Sequence, residues 1–446
     1  MELKDKKVLL MGLGILGGGV ATAKWLHKKG AILTITDMKD EGHLRASLRA
    51  LKDLPDIKYT IGRHDEKDFL ENDIIVVNPD VPATSPFIKI ARDAGKQIEN
   101  ELSLFYKFCP TDNIVAITGT RGKTTTVNWI YHFIKSVIPN TFIGGNSPDN
   151  PFLKIVEECD ADTRVVLEVP SFQLELVSGM SMPAPKIAMI TNLYQDHLNR
   201  HGTMAGYARA KANIFANQTE SDILILDRQN DWTKFFIDLR PKAEVLFADD
   251  NPIWSAKELE DFTKEWGNHN VKNLLFSSYA ALKMGVSIEK IKESVTTLPS
   301  IKFRQEKVYE DDQISIWNDT AATSPEATMA AVERFCPQGT VLITGGTDRN
   351  LEYNKWGENI KKLLSSDQVV LLSGSATEKM KQVLNWEKYE EFDTLNECVD
   401  HAVDMARKLG HKNILFSPSA KSFEKFKNEF DRGEKFNALI KQKFNK

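Results

Sequence analysis

The sequence predicts an α/β protein of three domains with largely parallel sheets, and three observations support that prediction. Short runs rich in Val, Ile and Leu recur along the chain, each ahead of a helix-length amphipathic stretch. Two of these strand-to-helix joints carry glycine-rich loops of the kind that receives phosphates. The chain has 446 residues, too many for one ordinary core at roughly 100–200 residues per domain.

The elements follow in order. Strands are expected at Val8–Met11, Ala31–Thr36, Ile74–Val77, Ile114–Thr118, Arg164–Glu168, Ile187–Asn192, Ile223–Leu226, Ser315–Asn318, Val341–Thr344, Val369–Ser373 and Asn413–Ser417. Short apolar runs between helical stretches suit strands buried on both faces of a parallel sheet. A strand leading into a phosphate-type loop starts a domain, which puts one boundary near Cys109-Pro110. A second falls near Leu298-Pro299, where a helical stretch gives way to a new strand series. The expected domains are therefore 1–108, 109–299 and 300–446.

Composition narrows the function. Hydrophobic residues make up 41% and charged residues 27%, the balance of a soluble globular chain. A net charge of −4 supplies no global basic field for nucleic acid, so an anionic ligand needs a local site. No run reaches the roughly 18–20 apolar residues of a membrane span. Cys109, Cys159, Cys336 and Cys398 lie far apart without metal-ligand spacing and read as reduced thiols of a cytoplasmic protein. Val8 to Ala23 is uncharged, follows Lys4, Lys6 and Lys7, and ends in Ala-Thr-Ala, the outline of a secretory signal. Its glycines between Gly12 and Gly19 make a poor apolar helix and a good ligand loop.

That loop reads Gly12-Leu-Gly14-Ile15-Leu16-Gly17 after a strand, with Asp37 closing the next strand. It is the dinucleotide fingerprint in its usual setting and predicts a Rossmann-like first domain; alone it points to an NAD-dependent oxidoreductase. The second loop is stronger. Ile114-Val-Ala-Ile-Thr118-Gly119-Thr120-Arg121-Gly122-Lys123-Thr124-Thr125 runs from strand through glycine loop to helix start. Backbone N–H groups there cradle phosphates, Lys123 reaches the terminal phosphate, and the Thr124 hydroxyl suits Mg²⁺. The general P-loop pattern needs Gly where Ile117 stands, so the loop is a shortened one.

Ionisable groups with no structural task cluster downstream. Glu168 ends an apolar strand ahead of Pro170-Ser-Phe-Gln173; Asn192-Leu-Tyr-Gln-Asp196-His197 follows another; Lys211 lies in Tyr207-Ala-Arg-Ala-Lys211. Carboxylates at the carboxyl ends of parallel strands face the ligand crevice, and oxygen or imidazole ligands there complete a metal site. In the last third, Arg304, Asn318-Asp319-Thr320, Thr323, Gly345-Gly346-Thr-Asp-Arg349 and Ser417-Pro-Ser-Ala-Lys421-Ser422 supply further anion-friendly joints.

Together these residues resemble the Mur ligase family over nearly the whole chain. The family's ATP loop, Thr-Gly-Thr-x-Gly-Lys-Thr-Thr, is matched from Thr118 to Thr125, and Glu168, Asn192, Asp196-His197, Lys211, His269-Asn270-x-x-Asn273, Arg304 and Asn318-Asp319 fall in family order. The resemblance implies a P-loop central domain between Rossmann-like N- and C-terminal domains. It implies an ATP-dependent amide-bond ligase in which the first glycine loop holds a UDP-linked substrate instead of NAD. The segment Ser417–Gly433 is similar to members that add D-glutamate to UDP-N-acetylmuramoyl-L-alanine, and the Asp-Asn-Pro-Arg motif of the diaminopimelate-adding branch is absent.

Roles implied by the resemblance are these. Gly119, Thr120, Arg121, Gly122, Lys123, Thr124 and Thr125 bind the ATP phosphates; Asn273, Arg304 and Asp319 bind adenosine. Thr124 and Glu168 hold one Mg²⁺ and His197 a second, supported by Lys211 as a carbamylated lysine. Lys123, His197 and Lys211 are the expected catalytic groups. Gly14, Ile15, Leu16, Asp37, Asn146 and His197 face the UDP substrate, and Thr323, Arg349 and Ser422 face the glutamate. A monomer without nucleic-acid or membrane partners is expected, with closure of the last domain before chemistry. Three departures stand out: the family commonly has Lys at Ala321, Lys at Arg349 and Phe at Glu429, a place that Phe430 would take instead through a one-residue shift. An inward Glu429 would repel an anionic substrate.

Overall fold

Parallel strands buried on both faces need apolar residues at every position, and each run named above becomes an interior strand of one of three sheets. The computed structural model of the chain describes residues 1–15, 17–145 and 150–444. The first sheet holds β1 (Lys7–Met11), β2 (Ile32–Asp37), β3 (Lys58–Ile61), β4 (Ile74–Val77) and β5 (Gln97–Glu99) in the order β3-β2-β1-β4-β5, all parallel. The second holds β6 (Ile114–Thr118), β7 (Thr141–Gly145), β8 (Arg164–Glu168), β9 (Ile187–Ile190), β10 (Ile223–Leu226) and β11 (Glu244–Phe247). Its order is β11-β10-β9-β6-β8-β7, again all parallel. The third holds β12 (Glu306–Glu310), β13 (Ser315–Asn318), β14 (Thr340–Thr344), β15 (Val369–Leu372), β16 (Glu390–Phe392) and β17 (Asn413–Phe416). Here the order is β12-β13-β17-β14-β15-β16, and only β12 runs antiparallel to its neighbour.

Side chains alternate between two cores, as the period of two requires. In β1, Val8 and Leu10 join Trp25, Leu26 and Leu33 on one face, while Leu9 and Met11 join Phe69, Ile75 and Val77 on the other. In the third sheet, Val341 and Ile343 pack with Ile414 and Phe416, whereas Leu342 packs with Leu371 and Leu415.

The strands that the apolar runs did not reveal are β3, β5, β7, β11, β12 and β16. Each lies at the edge of its sheet. Edge strands tolerate charge, and Lys58, Glu244, Glu306 and Glu390 show why no apolar run marks them.

The chain forms two compact units: residues 1–253 with 272–298, and residues 254–271 with 299–446. The first unit contains the first two sheets, and the helix Glu101–Phe108 belongs to both of their cores. Leu104 packs with the first sheet's residues, Leu102 and Phe105 with the second's, and Phe108 against both. Glu157 adds polar ties, accepting from Trp25 Nε1 at 3.1 Å and pairing with Lys28 and Lys29 at 2.5 and 2.7 Å. Among the described residues, no helix is long and apolar enough to cross a membrane.

Glu101, at the start of this shared helix, is almost wholly enclosed, and burial raises its carboxyl to about 7 despite hydrogen bonds from Thr22 and Gln173. Between an ordinary carboxyl value near 4.5 and about 7, the folded chain holds a proton that the unfolded chain has lost. Stability therefore falls as pH rises through this window and levels off above it. Glu101→Gln is neutral throughout, so its melting temperature should exceed the parent's at about pH 8 and converge with it at about pH 4; differential scanning calorimetry at both values tests this.

Candidate active site

A glycine loop approaches its neighbours more closely than any side chain allows, and Gly119–Gly122 does so on two sides. Gly119 has φ 147°, and a Cβ there would lie 2.0 Å from Thr191 Oγ1. Gly122 has φ 80° and would meet Asn273 Oδ1 at 2.3 Å. The end of β9 grips the loop through polar contacts. Thr120 N donates to the Asn192 carbonyl at 3.0 Å, Arg121 N to Asn192 Oδ1 at 2.9 Å, and Thr191 Oγ1 to the Arg121 carbonyl at 2.7 Å. Gly122 then caps the helix Lys123–Lys135, whose first N–H groups lack intrahelical acceptors and favour an anion.

Around this loop stand the ionisable groups singled out from the sequence. Thr124 Oγ1 donates to Glu168 Oε2 at 2.8 Å, placing a hydroxyl from the first turn of the helix after β6 beside the carboxylate that ends the adjacent β8. Lys123 Nζ bends back to the carbonyls of Gly119 and Thr120, each at 3.1 Å. Lys211 is 1% exposed; its Nζ donates to the Gly119 carbonyl at 2.8 Å and lies 4.6 Å from the Tyr207 ring centre. Burial, then the nearby Lys123 charge, drives the Lys211 amine well below the usual lysine range, against the opposing pull of Asp196 and Glu168. His197 sits at φ 53° ahead of the helix Leu198–His201, its ring 5.0 Å from Phe172 and 6.0 Å from Tyr207. Among the described residues, no three His, Cys, Asp or Glu side chains gather as a metal site. A hydroxyl beside a single carboxylate is what Mg²⁺ at a nucleotide needs, since most of its ligands are water and phosphate oxygens.

The strand order of the first sheet reverses between β1 and β4, and a crevice at such a switch point receives ligands. Gly12 and Gly14, both at positive φ, lie against Asn78 beyond β4. Asp37 Oδ2 accepts from Gly14 N at 2.9 Å and Oδ1 from Lys39 N at 2.8 Å, so this carboxylate holds the glycine turn itself. Ile15 is exposed, and Leu16 and Asn146 lie outside the described residues. Arg200 ties this crevice to the second sheet. Its guanidinium donates to the carbonyls of Pro79, Asp80 and Val81 at 2.8–3.0 Å and to Glu175 at 2.9 Å.

In the second unit the joints after β13, β14 and β17 lie together. Asp319 is enclosed, accepts from Ser417 Oγ at 2.8 Å and Gln305 N at 3.1 Å, and is raised to about 7 by burial. Arg304 is exposed in a turn flanked by Phe303 and Gln305, both at positive φ. Ser422 is buried, Thr323 half-buried and Arg349 exposed. Arg432 is fully buried and holds this loop set, donating to Thr320 Oγ1 and to the carbonyls of Thr320, Ala420 and Lys421 at 2.9–3.1 Å.

Residues 117–265 match the Mur ligase middle domain, and residues 6–100 match the Mur ligase MurD-like N-terminal domain. Along the full length, the chain is 36% identical over 473 aligned positions to the UDP-N-acetylmuramoylalanine–D-glutamate ligase of Roseiflexus sp. (strain RS-1), covering 99% of each. The chain belongs to the Mur ligase family. It is 34% identical to the ligase of the same name from Borreliella afzelii and 32% identical to that of Clostridioides difficile, covering 98% of each chain in both cases. Solved Mur ligases share its fold at low identity: UDP-N-acetylmuramate-alanine ligase MurC of Thermotoga maritima (17% identity, TM-score 0.58, 98% of this chain and 99% of that one) and MurF of Acinetobacter baumannii (16%, TM-score 0.59, 99% and 92%).

Within this Mur ligase, the residues read from the sequence converge where one unit contains them: Gly119–Thr125, Glu168, Asn192, Lys211 and Asn273 surround one loop. Sequence reading missed Thr191, Tyr207, Arg200 and Arg432. Thr191 and Arg200 adjoin motif residues, which is a signal; Arg432 shows only as part of an Asp-Arg-Gly run.

Gly119→Ala should displace the loop and lower ATP-dependent turnover on the order of a hundredfold, because shifts near 1 Å carry that cost. Adding Thr191→Ala removes the 2.0 Å conflict and should restore part of the loss. Steady-state phosphate release from the two single variants and the double variant measures it.

Proposed function

We propose that this chain joins D-glutamate to UDP-N-acetylmuramoyl-L-alanine at the expense of ATP, as a step of peptidoglycan precursor synthesis. The observation that carries the reading is full-length likeness to ligases of that name, combined with a phosphate loop flanked by Thr124–Glu168 and a buried lysine. The alanyl carboxylate attacks the γ-phosphorus of ATP, forming an acyl phosphate and releasing ADP. The neutral amine of glutamate then attacks the acyl carbon, and the tetrahedral intermediate collapses to amide and phosphate. Such chemistry needs positioning and charge neutralisation above all.

Mur ligases use ATP and Mg²⁺, and Thr124 and Glu168 are the pair that would hold one ion; His197 would serve a second. A metal held there would neutralise phosphate charge. Lys123 exchanges its two loop carbonyls for the transferred phosphoryl oxygens. Burial lowers the proton affinity of the Lys211 amine, which favours the form whose nitrogen lone pair adds CO₂, giving a carbamate anion and one released proton. The Gly12–Gly14 turn, Ile15, Asp37 and His197 are assigned to the UDP-linked substrate, and Thr323, Arg349 and Ser422 to glutamate. Asn273, Arg304 and Asp319 are assigned to adenosine on the resemblance alone. We place domain boundaries after residues 108 and 299 and read the enzyme as a cytoplasmic monomer.

Phosphate release from ATP with UDP-N-acetylmuramoyl-L-alanine should require D-glutamate; equal release with L-glutamate or with no amino acid sinks the assignment. Isotopically labelled bicarbonate should give one carbamate resonance in the parent enzyme and none in Lys211→Ala. A spectrum without that resonance in the parent removes the modified lysine from the mechanism.

A further inference from the structure

A glutamate carries two carboxylates, and the exposed Arg349 is assigned above to this substrate. The loop after β17 holds the next candidate. Lys421 is pinned through its backbone: its carbonyl accepts from Thr347 N at 2.8 Å and Arg432 Nη1 at 3.1 Å, and its N–H donates to the Thr347 carbonyl at 3.1 Å. The adjoining Ser422 is 2% exposed, and its hydroxyl meets no hydrogen-bond partner among the described residues. A buried hydroxyl without a partner is costly, and this one lines a tight cleft with Lys421, Thr347 and Arg432.

The cations lining that cleft are not equivalent. The Arg432 guanidinium is spent on Thr320 Oγ1 and three carbonyls. Lys425 donates to Ser373 Oγ and the Asp393 carbonyl, both at 2.7 Å. Lys421 has one ion pair among the described residues, with Glu429 Oε1 at 3.6 Å, too long for a hydrogen bond. Both side chains keep contact with solvent, at 21% and 25% exposure. A glutamate carboxylate belonging to the chain thus already stands on this lysine beside the unpartnered hydroxyl.

We propose that Lys421, with Ser422, binds one carboxylate of the incoming amino acid, and that Glu429 holds this lysine in place until the substrate carboxylate displaces it. The inference rests on the reading that the incoming amino acid is glutamate. Glu429 lies in the first turn of the helix Glu429–Phe444, where the helix N-terminus favours its charge after displacement. The pairing also explains how an acidic residue is tolerated where it would otherwise repel the substrate.

Lys421→Met should raise KM for D-glutamate about tenfold or more, a direct charge contact being lost, with KM for ATP and for the UDP-linked acceptor unchanged. Glu429→Gln should lower KM for D-glutamate. The charge-exchanged double variant Lys421→Glu/Glu429→Lys keeps an ion pair and should not recover binding. An unchanged KM in Lys421→Met overturns the proposal, as does recovery in the exchanged variant, which marks a merely structural pair. A KM that stays or rises in Glu429→Gln overturns the holding role. If the parent enzyme ignores D-glutamate, the functional reading itself falls, and that outcome is separate from a parent that uses D-glutamate and a Lys421→Met variant that matches it.

Discussion

The approach of Thr191 to Gly119 is the constraint on which the rest of the first unit's site depends. A loop with no Cβ at Gly119 and Gly122 is gripped by the end of β9 on one side and Asn273 on the other. Its backbone direction then follows: carbonyls of Gly119 and Thr120 receive Lys123, the Gly119 carbonyl also receives Lys211, and the helix after Gly122 presents its N-terminus. Preorganised dipoles of this kind stabilise transferred phosphate without reorganising during the reaction.

Cations largely withdrawn from solvent recur as the way this chain fixes its loops. Arg200 collects the carbonyls of Pro79, Asp80 and Val81, and Arg432 those of Thr320, Ala420 and Lys421. A planar guanidinium satisfies several carbonyls at once, which a lysine ammonium cannot do in one plane. Lys211 solves the same burial problem differently, with few acceptors and a depressed affinity for its proton. That difference separates a residue that holds shape from one that is chemically available.

Interior strands were legible because burial on both faces leaves only apolar choices, as Ile114–Thr118 and Val369–Leu372 show. Edge strands such as Gln97–Glu99 were not, since one side meets solvent and charge is permitted. The phosphate loop was legible because its glycines, lysine and threonine lie within one short segment. Thr191 and Arg432 were not, because their partners are supplied by other strands and helices.

By itself the sequence determined the α/β class, the interior strands, both glycine loops and the family, since each is written in local composition or contiguous motif. Only the tertiary structure decided that Asp37 spends its carboxylate on the Gly14 and Lys39 amides, that Lys211 is enclosed beneath Gly119, and that Glu429 faces Lys421. These depend on which residues, distant along the chain, come within a few ångströms. Burial and pairing set the charge and the availability of a side chain, and neither is encoded in its immediate neighbours.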